Sequence, residues 1–226
     1  MSEVNKYRVL CVAPHPDDET LGVGGTLLRR KAEGATVAWL IVTNISIEGG
    51  WSSERVEKRT EEIRRITQFY QFDEVYTLNF PTTQLDTIPM SGLVDAVSEV
   101  FTVFKPEEVF VPHPADIHTD HRVVFDAVSA CTKWFRYPSV KRVLAYETLS
   151  ETDFGLGTDL AFRPNVFVDV EHFFSRKLQA MDIYGSEVGE FPFPRSHEAI
   201  RALATIRGAA SGFQSAEAFE LLRERT

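Results

Sequence analysis

Short apolar runs recur along this chain at Tyr7 to Ala13, Thr36 to Val42, Glu74 to Leu78 and Glu108 to Pro112, with helical patterning between them. No other feature narrows the fold as far, because strands alternating with helices yield a parallel sheet covered on both faces. In the doubly wound order 3-2-1-4-5, strands one and four lie side by side, and ligands bind in the crevice beyond their carboxyl ends. The expected architecture is an α/β, Rossmann-like fold: a mostly parallel sheet flanked by helices, with the active site at the C-terminal ends of strands 1 and 4. No repeat, low-complexity tract or long linker divides the chain, so a single domain over residues 1–226 is expected. A chain of this size buries roughly 70% or more of its unfolded surface and needs neither metal nor disulfide to stay folded.

Two clusters of chemistry follow the first and fourth runs. Ala13 to Glu19 reads APHPDDE, one imidazole and three carboxylates on a single turn. Taken alone, that turn is as readily a solvated surface feature as a site. The run EVFVP then leads into His113-Pro-Ala-Asp116-Ile-His118-Thr-Asp120-His121, which holds three of the six histidines. Two such clusters at neighbouring strand ends make a metal and acid/base site the better reading.

Metal chemistry selects among these residues. A catalytic Zn²⁺ takes three protein ligands from imidazole and carboxylate groups and keeps one position for water. His15 and Asp18, three apart, supply two ligands from one turn, and His121 supplies the third. The same donor set describes non-haem iron, so Fe²⁺ or another divalent ion stays open. Asp17 is left as a free carboxylate placed to accept a proton from water. His118 is placed to donate to a developing oxyanion or to protonate the leaving group. Asp120, beside His121, is suited to orient an imidazole.

The two motifs resemble those of the PIG-L or LmbE-like zinc-dependent N-deacetylases, which act on N-acetylglucosamine-type sugars. The resemblance implies His15, Asp18 and His121 as metal ligands, Asp17 as base and His118 as the histidine that stabilises the transition state. Arg59-Thr-Glu-Glu62-Ile resembles the family's helical R-x-x-E-L segment, and Asp86 matches a position in the loop after strand three. Both are implied as sugar-binding residues. The stretch Thr43 to Gly50 matches the family's Gly-rich acidic loop only in part, which points to different substrate contacts there. Pro194-Arg195-Ser196, Arg207-Gly208 and Ala216 to Phe219 resemble the closing segments of bacterial members, so the resemblance runs from about residue 7 to residue 221.

Composition bounds the partners. A net charge of −9 with no Lys/Arg-rich tract excludes the footprint of a nucleic-acid binder. Cys11 and Cys131 suit reduced core thiols rather than a disulfide framework. MSEVNKYRVL lacks the apolar core of a signal peptide, and no stretch approaches a membrane span, so a cytoplasmic protein without a membrane anchor is expected. The number of subunits stays open, a homo-oligomer included.

Other features carry less. Gly22, Gly24 and Gly25 lack dinucleotide spacing and are expected to serve close packing of the first helix. Glu147 to Arg163 reads as a surface excursion before a strand at Asn165 to Val170, with a rim of the active site as the alternative. Phe191 to Arg195 fits an apolar wall for a sugar face as well as it fits core or oligomer packing. Tyr184, Glu187, His172 and His197 are expected on the hydrated surface or as ordinary histidines.

The expected function is hydrolysis of the N-acetyl group of an N-acetylated sugar or sugar conjugate by metal-activated water. The alternatives are a non-catalytic metal- or sugar-binding protein and a hydrolase of another acyl or carbamoyl group. Asp17 and His118 separate the first from a pure binder, which needs neither.

Overall fold

The computed structural model describes residues 6–156 and 161–226. Among the described residues seven strands form one sheet in the order β3-β2-β1-β4-β5-β7-β6. β1 (Arg8–Ala13), β2 (Thr36–Asn44), β3 (Glu74–Pro81), β4 (Glu108–Pro112) and β5 (Arg142–Tyr146) run parallel, the expected 3-2-1-4-5 arrangement. The sheet then continues with β7 (Ala216–Glu224), antiparallel to both β5 and β6 (Val166–Asp169). β6 falls within the strand expected at Asn165 to Val170.

The central strands are apolar at nearly every position beyond their first because both faces are covered. On β1 the odd positions Val9, Cys11 and Ala13 belong to one core, the even positions Leu10 and Val12 to the other. β2 alternates the same way, with Trp39 and Ile41 on the first face and Leu40 and Val42 on the second. The first face is covered by α1 (Asp18–Ala32), α2 (Ser53–Tyr70), α5 (Glu171–Ile183) and α6 (His197–Ser211). The second is covered by α3 (Met90–Phe104) and α4 (Thr119–Ala130). Cys11 and Cys131 are fully buried and unpaired within these cores. Among the described residues no helix is long and apolar enough to cross a membrane.

α1 is packed closely against its neighbours. A Cβ at Gly22 would run into the ring of Tyr146, and one at Gly25 would lie 2.7 Å from Val170 Cβ, so these glycines set how closely α1 approaches its neighbours. Glu217 on β7 accepts the Gly25 N–H at 2.8 Å and the Thr26 N–H at 2.7 Å, reaching the interior of α1 from the far end of the sequence. Lys177 on α5 donates to the same carboxylate at 2.7 Å and to Leu21 O at 2.8 Å. This ion pair is buried on both sides.

Candidate active site

β1 and β4 are hydrogen-bonded neighbours, Leu10 opposite Val109. Their C-terminal ends therefore deliver both motifs to one place. Residues 14–17 turn from β1 into α1, and residues 113–118 turn from β4 into α4. Between them lies a cleft of roughly 240 Å³ lined by residues that include His15, Asp17, Asp18, Arg59 and His118.

Three donor atoms converge at its base. Asp18 Oδ2 is 3.4 Å from His15 Nδ1 and 3.3 Å from His121 Nε2. One donor from each residue lies within 4.8 Å of the others, the spacing of a metal-binding trio. His121 Nε2 is buried and has no hydrogen-bond partner among the described residues. An orphaned buried nitrogen aimed at a carboxylate oxygen is what a two-His, one-Asp cation site presents. A second grouping, His15 with His118 and Asp120, is also close enough. Its donors are already engaged: Asp120 accepts the Thr83 and Leu85 N–H groups at 2.7 and 3.1 Å, and His118 Nδ1 accepts the Asp120 N–H at 3.1 Å. The His15, Asp18, His121 trio fits a divalent ion better.

A carboxylate holds the far side of each imidazole. Asp120 Oδ2 is 3.1 Å from His15 Nε2, and Asp116 Oδ2 is 2.8 Å from His121 Nδ1. Such pairs fix ring orientation and raise the basicity of the ligating nitrogen. Asp120 thus meets His15 across the cleft and not its neighbour His121. Asp116, which the sequence analysis left without a role, serves His121. Burial alone would lower the His15 pKa, but its contacts with Asp120 and Asp18 outweigh that and raise it to about 9. Burial likewise opposes the Asp18 charge, and His121 and His15 overcome it, holding that carboxyl well below its usual range.

Asp17 stands outside the trio. It precedes α1 with φ 140° and ψ −28°, a backbone conformation that a residue with a Cβ rarely adopts. Glu19 steadies it by accepting the Asp17 N–H at 3.1 Å, and buried Tyr184 donates to Glu19 at 2.9 Å. Burial, then the neighbouring charge of Asp18, push the Asp17 carboxyl upward, against the pull of Arg195. His118 caps α4 through Nδ1, which leaves Nε2 as the donor of the neutral ring. Burial first, then His15 and His121, lower its pKa to about 4 and keep it neutral.

The remaining expectations divide. Arg59 lines the cleft and is anchored, donating to Pro16 O at 2.6 Å and to Glu187 at 2.7 Å. Asp86 is exposed on a 3₁₀ turn at Leu85–Thr87 and does not line the cleft, where Thr82 and Thr83 represent that loop. Tyr184 and Glu187 are not surface residues of the ordinary kind: Tyr184 is fully buried, and Glu187 lines the cleft and bridges Arg59 and Arg195. The excursion after β5 reaches the site as well. Ser150 and Glu151 contact Arg195, and Glu151 lines the cleft. Positions 157–160 of that excursion lie outside the described residues. Phe191 and Phe193 are exposed and form no wall of this cleft. His172 is exposed, and His197 pairs with Asp182.

Arg195, expected only as part of a closing segment that resembles bacterial members, reaches the cleft itself. Its guanidinium bonds Asp17 Oδ2 at 2.8 Å from 178 positions away. Its local signals are the Pro194-Arg195-Ser196 resemblance and its place before the helix-capping Ser196, and neither points to Asp17.

Fold and site place the molecule in the class of LmbE-like α/β proteins, in which deacetylases are found. The chain belongs to the PIG-L family: residues 10–132, more than half of its length, match the model described as GlcNAc-PI de-N-acetylase. The diacetylchitobiose deacetylase of Thermococcus kodakarensis is 28% identical over 221 residues, covering 93% of this chain and 81% of that protein. An uncharacterized deacetylase of Escherichia coli K12, YaiS, is 28% identical over 188 residues, covering 80% of this chain and 92% of its own. Among solved structures, the N,N'-diacetylchitobiose deacetylase of Pyrococcus horikoshii, complexed with an inhibitor, superposes with a TM-score of 0.79 at 21% identity. That match covers 97% of this chain and 85% of the other, and it speaks to the fold.

Proposed function

We propose that this protein is a divalent-metal-dependent amide hydrolase that removes the N-acetyl group from an N-acetylglucosamine-type sugar or conjugate. The observation that carries the reading is Asp17, a carboxylate lining the same cleft as His15 and Asp18 yet outside the metal-binding trio. A site built only to bind has no use for it.

His15, Asp18 and His121 hold the ion, and Zn²⁺ suits their nitrogen and carboxylate donors. When bound, such an ion supplies a Lewis acid that polarises an amide carbonyl and acidifies water. Asp17 accepts the proton of the attacking water through a carboxylate oxygen, and Arg195 at 2.8 Å fixes the direction of that carboxylate. His118 presents its Nε2–H to the oxygen on which charge develops, the tautomer of the neutral ring being fixed by the Asp120 N–H that Nδ1 accepts. Asp120 and Asp116 hold the two ligating rings in place. Arg59, anchored beside Asp17, offers its remaining N–H groups to sugar hydroxyls. Asp86, exposed and outside the cleft lining, is the weakest of the sugar-binding assignments.

Acetate release from a panel including N-acetylglucosamine and N,N'-diacetylchitobiose tests the reading. Metal-loaded protein should release acetate, chelation should stop it, and Asp17→Asn should keep its metal while losing about 10² to 10⁴ in turnover. A metal-replete protein that releases acetate from no member of the panel refutes the deacetylase assignment.

A further inference from the structure

Three arginines line the cleft: Arg55, Arg59 and Arg195. Two are spent on the protein's own carboxylates. Arg59 is bonded to Glu187, and Arg195 to Asp17 and Glu187. Arg55, in the first turn of α2, is exposed, and its side chain makes no hydrogen bond or ion pair among the described residues. Its guanidinium instead lies over Trp51, 4.8 Å from the ring centroid.

Trp51 also lines the cleft, and a closed turn fixes its position. The Trp51 N–H bonds Ser46 O at 3.2 Å, the Gly50 N–H bonds Ile47 O at 2.9 Å, and Gly50 takes φ 88°, which glycine alone adopts freely. The turn belongs to the Thr43 to Gly50 stretch and its sequel, where the chain departs from its family's pattern. A guanidinium stacked on an indole keeps its edge N–H groups free, in the fork that matches phosphate or carboxylate. The surroundings sharpen the point. The chain carries a net charge of −9, and the cleft gathers Asp17, Asp18, Glu151 and Glu187. Those carboxylates are engaged by Arg59, Arg195 and the histidines of the trio, so among the described residues Arg55 is the cleft arginine whose charge is left to meet an anion from outside.

We propose that Trp51 and Arg55 form a subsite for a negatively charged group, phosphate or carboxylate, on the part of the substrate remote from the acetamide. The substrate is then an anionic amino-sugar conjugate. This rests on the deacetylase reading above and specifies which sugars that site takes.

The test uses zinc-loaded wild type, Arg55→Ala and Arg55→Lys with three probes: methyl N-acetylglucosaminide, N-acetylglucosamine 1-phosphate and carboxymethyl N-acetylglucosaminide. For the wild type, kcat/KM for at least one anionic probe should exceed that for the neutral one by about tenfold or more, the scale of one hydrogen bond to a charged group. That ratio should fall toward one in Arg55→Ala and be partly kept in Arg55→Lys. Whichever anion is preferred identifies the group. A ratio equal in wild type and Arg55→Ala, or a wild type without preference, overturns the subsite. If no probe releases acetate, the deacetylase reading fails, and binding by calorimetry decides the subsite by itself. An anionic probe held about tenfold more tightly by wild type than by Arg55→Ala at equal zinc loading sustains it; equal affinities, or no binding, overturn it.

Discussion

Replacing Asp17 with glycine should stabilise the fold while removing most of the turnover. The residue sits at φ 140° and ψ −28°. A conformation of this kind costs a residue with a Cβ about 1 to 3 kcal/mol, and glycine relieves it. The added freedom of the unfolded chain takes back about 1 kcal/mol or less. The bond lost is Arg195 to Asp17 at 2.8 Å, but the guanidinium keeps Ser150 at 2.8 Å and Glu187 at 3.3 Å and is not left unpaired. The carboxylate itself contributes little to stability, since burial and Asp18 already disfavour its charged form. Asp17→Ala loses the same bond and keeps the strain. The two variants therefore isolate the backbone, and Asp17→Gly should exceed Asp17→Ala by about 1 to 2 kcal/mol. Urea unfolding followed by tryptophan fluorescence reads the difference, on chelated protein so that metal binding adds nothing by mass action. With a slope of about 1 to 3 kcal/mol per molar urea, the midpoints separate by a few tenths molar or more. Both variants should lose about 10² to 10⁴ in turnover. Equal stability of the two would show that the φ of Asp17 carries no strain and would refute the reasoning.

Asp116→Asn should weaken metal affinity by about 10- to 100-fold while the fold persists, because it loosens the support of His121; competition with a metal indicator measures it, and wild-type affinity would dismiss that support. His15 in the metal-free protein has its pKa raised to about 9, so the stability from its protonated form is fully present below the unfolded value near 6.5 and lost as pH rises through about 9. Zinc uptake between those values should release protons, detectable by calorimetry in buffers of differing ionisation enthalpy, and uptake without proton release would contradict the assignment of His15 as a ligand. Glu217→Gln leaves the Lys177 ammonium buried without a counter-charge and should cost about 3 to 5 kcal/mol in a denaturant titration. A cost below about 1 kcal/mol would mean that the pair is solvated.

The parallel half of the fold and the base of the site were legible because each depends on local pattern. Doubly covered strands such as RVLCVA are apolar at every position after the first, and the proposed ligands sit on the turn after β1 and in the first turns of the helices that follow β1 and β4. β7 escaped because AEAFELLRE is rich in helix-forming residues, and only its place between β5 and β6 makes it a strand. The meeting of Arg195, Glu151 and Glu187 escaped for a related reason: each comes to the cleft from far along the chain, in segments open to a surface or rim reading, and no spacing reports such a meeting. Asp116 was visible in its cluster, yet its partner follows only from the path of the loop before α4. Asp86 illustrates the converse, a position carried over by resemblance that the 3₁₀ turn leaves facing water.

The reach of Glu217 into α1 bears on the order in which the molecule is built. Synthesis makes His15 and Asp18 early, and the carboxylate that braces the helix opened by Asp18 comes 192 residues after Gly25. A nascent chain that stops after β5 already carries every proposed metal ligand, while the Gly25 and Thr26 amides of α1 have not met Glu217; Lys177 follows on α5 and waits for the same carboxylate. Completion of β7 is therefore the step that tightens α1, and the turn that carries His15 and Asp17 gains its final support only after that strand has formed.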